Sequence, residues 1–511
     1  MTSRRADALA ALLLAVSAAA VLTGLGRLPA LTVDESWAGM FATLLRDRGL
    51  FTPHEMNTYT GPLYALLLSK VLAARGVNVA ALRLFGACAN AAAFLILATN
   101  LRRRLGAEAA AWFAALLAGS AYLLLKSRLA WDVYALQPLL LALTLSVLDE
   151  AVTFPRALLF CAAVLIGAQN HFIYLCVPLS LCVLYGARVA WLGEESARPW
   201  LRLSVSALVM GAVLFLVKPR LSEAAWASQR LWALPLFFAL PPLAAAAAVW
   251  GGNWTRSIED LLARPPVRRW AGRALALGLL AFAACHAVPL WQLLAGPLVW
   301  RRMFSWIAPW WLRVPLGAWS GFLIGLVAWR AVRARYRLAE MSAHERTLAL
   351  WPAAYAAVFI LFRNTTSLRY YSALQFLCLA ALAPALARLP RPDRNWAAAA
   401  AAFAVIACQG VFWRELSSPG DRRPLSFKIG THMESSRDFS RKEALFAAFD
   451  ASGACLVAHP ERNFIAFPLG FHRKETGPLP CDDNKEFDAD FCPDCAAPPF
   501  YRWTVISRSA R

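Results

Sequence analysis

The chain alternates long apolar runs with short polar breaks. The first run covers 7–26, behind Arg4 and Arg5. Others follow at 80–100, 108–126, 133–149, 157–169, 171–191, 203–218, 231–250, 273–293, 314–330, 348–362, 371–388 and 396–413. Apolar runs of about 18 residues read as membrane-crossing helices, because in lipid the backbone must satisfy its own hydrogen bonds. The pattern predicts an all-α polytopic membrane protein with about 13 spans. Small residues in AVSAAAV resemble a cleavage site, but the first run is long and many spans follow, so it reads as an uncleaved anchor.

Two segments break the pattern. Residues 27–79 form a long first loop with polar and aromatic content. Residues 414–511 form a polar tail long enough for a small domain. Within it, LFAAFDASGACLVAHPERNFIAF reads as a helix followed by a strand, so an α/β tail domain is expected after a transmembrane domain at 1–413. Arginines mark one side of the membrane. Arg102, Arg103 and Arg104, then Arg264, Arg268 and Arg269, then Arg330, Arg333, Arg335 and Arg337 fall in alternate short loops. The positive-inside rule puts those loops and the N-terminus in the cytoplasm. An odd span count then puts the tail, like the 27–79 loop, outside.

Composition agrees with this class. Of 511 residues, 59% are hydrophobic and only 16% charged, which argues against a soluble nucleic-acid binder. The 21 Trp and 29 Phe exclude a disordered chain. The net charge is +21, and the tail, with 14 basic and 14 acidic residues, contributes nothing to it. The excess lies in the membrane part, about half of it on the outer side, where it suits an anionic lipid.

Seven cysteines, Cys88, Cys161, Cys176, Cys182, Cys285, Cys378 and Cys408, lie in or beside apolar runs and read as small hydrophobes. The other four, Cys455, Cys481, Cys492 and Cys495, are in the tail. In an oxidising compartment they suggest two disulfides of unassigned pairing.

The polar residues nearest the outer surface carry the candidate chemistry. Asp34 and Glu35 follow the first span closely, and Asp132 in SRLAWD lies at the outer mouth of the third and fourth. Such carboxylates can serve as general base, metal ligand or acceptor of a sugar hydroxyl. Arg369, Arg363, Arg128 and Lys126 are outward cations suited to phosphate, or equally to lipid headgroups. His171 stands at the turn between two spans, as a cavity residue or a polar cap. His286 reads as a packing residue, and Trp300, Trp306, Trp310, Trp311 and Trp319 as an interfacial belt or a stacking surface. His54 and Glu55 are too few for a metal site by themselves.

The order of these motifs resembles the GT-C superfamily of polyprenyl-phosphate-sugar glycosyltransferases, in particular its protein O-mannosyltransferase-like and aminoarabinose- or galacturonosyl-transferase-like branches. The resemblance covers roughly 5–390. It rests on the Asp34-Glu35 pair after the first span, the Pro-Leu-Tyr segment with Tyr64, and Arg83 in ALRLFG. Asp132, the stretch IGAQNHFIYLCVPLSLCVL with His171, and Arg369-Tyr370-Tyr371 at the start of a late span complete it. The resemblance implies a bacterial plasma-membrane enzyme with a periplasmic tail. It would transfer a sugar from a polyprenyl-phosphate donor to a lipid, glycan or protein acceptor, with inversion. By position Asp34 would be the base and Asp132 the second acid. Glu35, Tyr64, Arg83, Arg128, His171 and Arg369 would bind substrate or support the site. A divalent metal stays open, because related branches differ. Aminoarabinose-transferase relatives carry a Lys before the Pro-Leu-Tyr-like segment, where this chain has Thr60-Gly61. The competing expectation is a transporter or flippase of an anionic lipid or solute. It would call for charges deep in the spans and two related halves, and neither is evident.

Overall fold

The computed structural model describes residues 2–26, 31, 33–49, 61, 63–217, 238–252, 254, 256–285, 340–359, 371–417, 425–426, 435–436, 439–457, 466–476, 480–491 and 501–507. The apolar runs at 314–330 and the Trp-rich stretch before them lie outside these residues, as do His54, Glu55, His286, Arg363 and Arg369.

The membrane part is helical. Its elements are α1 (Ser3–Leu22), α2 (Val33–Arg48), α3 (Leu63–Arg75), α4 (Val79–Leu105), α5 (Ala107–Ala118), α6 (Ala121–Lys126), α7 (Asp132–Val147) and α8 (Phe154–Asn170). They continue with α9 (Cys176–Leu192), α10 (Arg198–Val217), α11 (Phe238–Trp250), α12 (Arg256–Ala263) and α13 (Pro265–Cys285). Last come α14 (Ala343–Phe359), α15 (Ser372–Ala387) and α16 (Arg391–Ser417). Among the described residues four helical stretches are long and apolar enough to cross a membrane: Ser3–Leu22, Val79–Leu105, Phe172–Leu192 and Glu195–Leu214. Five shorter apolar helices accompany them.

The structure refines two expectations. The run at 108–126 is broken, because Gly119 ends α5 and the Ser120 side chain caps α6. The 27–79 loop is not irregular throughout, since α2 and α3 occupy much of it.

Helix α4 packs along α7, α1 against α5 and α4, and α15 against α5. Small residues permit these approaches. A Cβ on Gly86 of α4 would lie 3.1 Å from the Ala135 methyl of α7. Asn90 and Asn100 of α4 donate through Nδ2 to the backbone carbonyls of Gly86 and Leu145, so each side-chain NH2 has an acceptor inside the core.

Polar contacts gather at the two ends of this bundle. At one, Arg83 near the start of α4 donates to the Leu25 carbonyl just beyond α1. At the other, Arg102 near the end of α4 pairs with Asp7 of α1 at 2.6 Å. These arginines are about 28 Å apart along the helix axis, close to the roughly 30 Å of a hydrocarbon core. Each end therefore falls near one membrane surface. The Arg102 end holds a buried network in which Arg188 meets Asp149 at 2.6 Å and Glu194 at 2.7 Å. Arg346 adds to Glu194, and Arg104 to Glu150. Burial works to raise the Asp149 carboxyl, but the contact with His344 and the Arg188 charge hold it below its ordinary value.

The tail forms a short β1–β2 pair (Leu425–Ser426 and Ser435–Ser436) and an α/β unit. That unit comprises α17 (Phe439–Ser452), β3 (Ala454–Val457), α18 (Ala466–Thr476), β4 (Asp482–Phe491) and β5 (Tyr501–Ser507). β4 is central, parallel to β3 and antiparallel to β5. Leu445, Phe449, Ala454, Leu469 and Phe487 make its core, and Cys455 is disulfide-bonded to Cys481. Cys492 and Cys495 lie outside the described residues. In the membrane part Cys88, Cys161, Cys176, Cys182, Cys378 and Cys408 are free thiols; of these Cys88 is exposed.

Candidate functional site

The sequence Val-Asp-Glu-Ser begins α2, so Asp34 and Glu35 both fall in its first turn. Unpaired N–H groups and the positive end of the helix dipole favour carboxylates there. The two side chains then diverge. Asp34 is half-buried, whereas Glu35 is fully enclosed.

Glu35 meets Arg83 in a two-pronged pair. Its Oε1 accepts from Arg83 Nε at 2.7 Å, and its Oε2 from Arg83 Nη2 at 2.8 Å. The same Oε1 accepts from the Ala130 backbone N–H at 2.9 Å. Arg83 Nη1 reaches the Leu25 carbonyl at 2.9 Å. Three elements and the end of α1 are thus tied by charge-assisted bonds around one carboxylate. Both partners show no side-chain exposure. Glu35 and Arg83 are therefore spent on each other and on backbone, and they fix the start of α2 against the start of α4 and the turn before α7.

The bond to Ala130 matters for Asp132, which opens α7 two residues later, with Trp131 at the N-cap position. The bond holds the backbone leading into the second acid. Next to it, the Trp131 ring meets that of His171 edge-on at 6.3 Å. His171 is buried, and its Nδ1 accepts from the Ile173 N–H at 3.1 Å. It thereby caps the turn from α8 into α9.

Tyr64 is buried in the first turn of α3, near Phe85 of α4. Just before α3, a Cβ on Gly61 would lie 2.2 Å from the Gln169 carbonyl of α8. No larger residue fits there, which gives a packing reason for glycine in Thr60-Gly61.

Arg128 is also buried. Its Nη1 donates to the Ala20 carbonyl and, at 3.3 Å, to that of Val21; its Nη2 donates to Gly24 at 2.9 Å. Its guanidinium lies over the Phe412 ring of α16. Arg128 thus satisfies carbonyls that α1 leaves open at its C-terminal end. Lys126 is buried as well. The start of α15 belongs to this end of the bundle, because Ser372 Oγ donates to Gln137 of α7 at 3.4 Å. Asp34, Glu35, Tyr64, Arg83, Arg128 and His171, with the backbone of Asp132, are therefore brought together.

A further contributor comes from the tail. Helix α18 of the tail lies against α2. The buried Phe471 ring fills the space over Gly39, where a Cβ would be 2.6 Å away. Gly470 does the same for Met40, with 2.7 Å to its Sδ. Glu475 accepts from the Val79 N–H at 3.3 Å. The tail thus rests on the helix that carries Asp34. Glycines facing each other at 39 and 470 are the only trace of this in the sequence.

Among the described residues no three His, Cys, Asp or Glu side chains gather as a metal site.

No family model and no curated protein matches the chain. Solved structures do. One is the oligosaccharyltransferase of Archaeoglobus fulgidus in complex with zinc and sulfate, at 13% identity and a TM-score of 0.51, over 87% of this chain and 55% of that one. The same protein tethered to an acceptor peptide with the NVT sequon gives 13% identity and 0.50, over 92% and 59%. ArnT from Cupriavidus metallidurans bound to undecaprenyl phosphate gives 15% identity, over 74% and 77%, but at 0.34 its overlap carries no argument. The chain spans little more than half the length of the oligosaccharyltransferase. At these identities the likeness is one of fold, shared with the archaeal oligosaccharyltransferase.

Proposed function

We propose that the chain is a membrane glycosyltransferase that moves a sugar from a polyprenyl-phosphate donor to an acceptor at the Asp34 end of the bundle. The observation that carries this reading is the Glu35–Arg83–Ala130 junction. It ties the helix turn that carries Asp34 to the backbone two residues before Asp132, in a fold shared with an oligosaccharyltransferase. The Asp34 carboxylate takes the proton of an acceptor hydroxyl or amine. The acceptor oxygen or nitrogen bonds to the anomeric carbon from the face opposite the phosphate. The carbon–oxygen bond to phosphate breaks, its electron pair leaves with the polyprenyl phosphate, and the configuration inverts.

Charge develops on the leaving phosphate, and a cation there lowers the barrier. Arg128 is engaged with α1 carbonyls, so Arg369 is the better candidate for this role. It precedes Ser372 of α15 by three residues, and Ser372 belongs to the same end of the bundle. Asp132 shapes the acceptor side. The Asp34 carboxylate is the described group at this end that a divalent ion would use, and such an ion would polarise a phosphate or acceptor oxygen. The archaeal oligosaccharyltransferase was crystallised with zinc. On this reading the Asp34 end faces the periplasm of a bacterial inner membrane.

The test is mass spectrometry of envelope lipids and glycans in a deletion strain, complemented with wild type or Asp34→Asn. A species should lose one sugar on deletion and regain it with wild type. Loss of a general base costs about 100- to 10,000-fold, so Asp34→Asn at normal membrane levels should leave it missing. Full restoration by the variant removes Asp34 from the chemistry.

A further inference from the structure

At the Arg102 end, away from the site above, α1, α5 and α16 leave a groove of about 610 Å³. It falls within the roughly 300–1,000 Å³ of small-molecule sites. Its wall is made of Leu9 and Leu13 of α1, Trp112 of α5, and Ala398, Ala402 and Ile406 of α16. Helix α16 contributes mostly methyl groups because the chain reads Ala397 to Ala402 without interruption. With so little side chain on that face, three helices packed on one another still leave a slot open toward the bilayer.

The slot has a charged mouth. Arg391 and Arg394, in the first turn of α16, line it together with Glu108 of α5. Arg394 is neutralised by Glu108 at 2.9 Å. Arg391 is exposed and makes no ion pair or hydrogen bond among the described residues. On α1, Arg5 stands one turn before Leu9 and continues the stripe through Leu9 and Leu13. Arg4 and Arg5 are exposed, and the nearby Asp7 is already taken by Arg102. Asp393 is the remaining acid of that first turn. The mouth is left net positive.

From Arg391 to Ile406 the groove wall runs about 22 Å, deeper than one leaflet of a core about 30 Å thick. We infer that this groove binds an anionic diacyl phospholipid of the leaflet at the Arg102 end, with acyl chain along the alanines of α16 and phosphate at Arg391. Basic pockets between transmembrane helices suit such headgroups, and each basic residue near the surface adds about fivefold in affinity. The same small residues, Ala398 and Ala402, could instead receive a helix of a second copy. A helix would cover the alanines but would leave the Arg391 charge without a partner, so lipid is the better occupant.

The full chain, delipidated in detergent, would be titrated with phosphatidylglycerol or phosphatidylcholine in mixed micelles and read by native mass spectrometry. Wild type should retain phosphatidylglycerol at ratios where phosphatidylcholine is lost. Arg391→Gln, a change on an exposed side chain, should weaken phosphatidylglycerol retention about fivefold and leave phosphatidylcholine unchanged. Ala402→Phe fills the slot and should weaken both, with an unaltered melting curve showing that the bundle still forms. Equal retention of the two lipids by wild type overturns the inference. So does unchanged retention in Arg391→Gln. A dimer that Ala402→Phe dissociates overturns it too, and would make the groove an interface between copies.

Discussion

Glu35 and Arg83 show how adjacent residues divide the work at this site. A buried pair held by several bonds costs little while both members are present, and much once one is gone, because the survivor is an unpaired charge in a dry place. Arg83→Ala should therefore destabilise the protein by about 3–5 kcal/mol, whereas Glu35→Gln with Arg83→Met should recover most of that. Thermal unfolding in detergent compares them; an unaltered melting temperature in Arg83→Ala would show that the junction carries no load. Asp149 gives a second residue-scale prediction. Its carboxyl is held below the ordinary 3.8, so its stabilising charge is present above that value and is lost as pH falls through its lowered one. Asp149→Asn should be less stable than wild type at pH 7, and the gap should close only in acid below 3.8. Curves that meet near pH 6 would assign the effect to another group. The sequence singled out Asp34, Glu35, Arg83 and Asp132 by position, but it could not tell that Glu35 and Arg83 are enclosed while Asp34 is half-buried. That division depends on which backbone group, here the Ala130 N–H, arrives at the carboxylate from 95 residues away.

Helices α2 and α18 make the corresponding case for elements. They meet at Gly39 and Gly470, and the absence of side chains there sets how closely the tail approaches the Asp34 helix. A methyl at Gly39 would have to displace the Phe471 ring, an overpacking of about 1–3 kcal/mol. Gly39→Ala should loosen the tail, seen as faster limited proteolysis within 439–476, and should reduce transfer in parallel. A smaller ring-free residue, as in the double variant with Phe471→Leu, should restore part of both. If Gly39→Ala loosens the tail but leaves transfer at wild-type levels, the tail does not position α2. Apolar periodicity revealed most spans, because a transmembrane helix must be apolar along its length. It did not reveal α2, whose mixed surface matches a loop as well as a helix lying on protein. Nor did it show the break at Gly119-Ser120, where a short polar pair inside an apolar run decides between one helix and two.

At the scale of the whole molecule, the fold separates two polar ends by about the thickness of a bilayer, and the function depends on which end faces out. Arg102 and Arg104 and the buried Asp149–Arg188 network share one end of the bundle, as the positive-inside rule expects for the cytoplasm. The tail, docked at the Asp34 end, carries Cys455 and Cys481 joined in a disulfide, and such bonds persist in oxidising compartments. Charge bias and redox chemistry are independent properties, and the proposed orientation rests on both. In membranes collected into alkylating reagent, Cys455 and Cys481 should resist modification until a reductant is added, while the thiols of the bundle stay free throughout. Closing a loop of 26 residues is worth about 3.5 kcal/mol in the chain-entropy account. Cys455→Ser should therefore lower the stability of the tail by a similar amount while the bundle still inserts, and by releasing α18 it should weaken the hold on α2. Alkylation of both thiols without reductant would place the tail in the cytoplasm, and with it Asp34, where a donor presented at the opposite surface could not reach it.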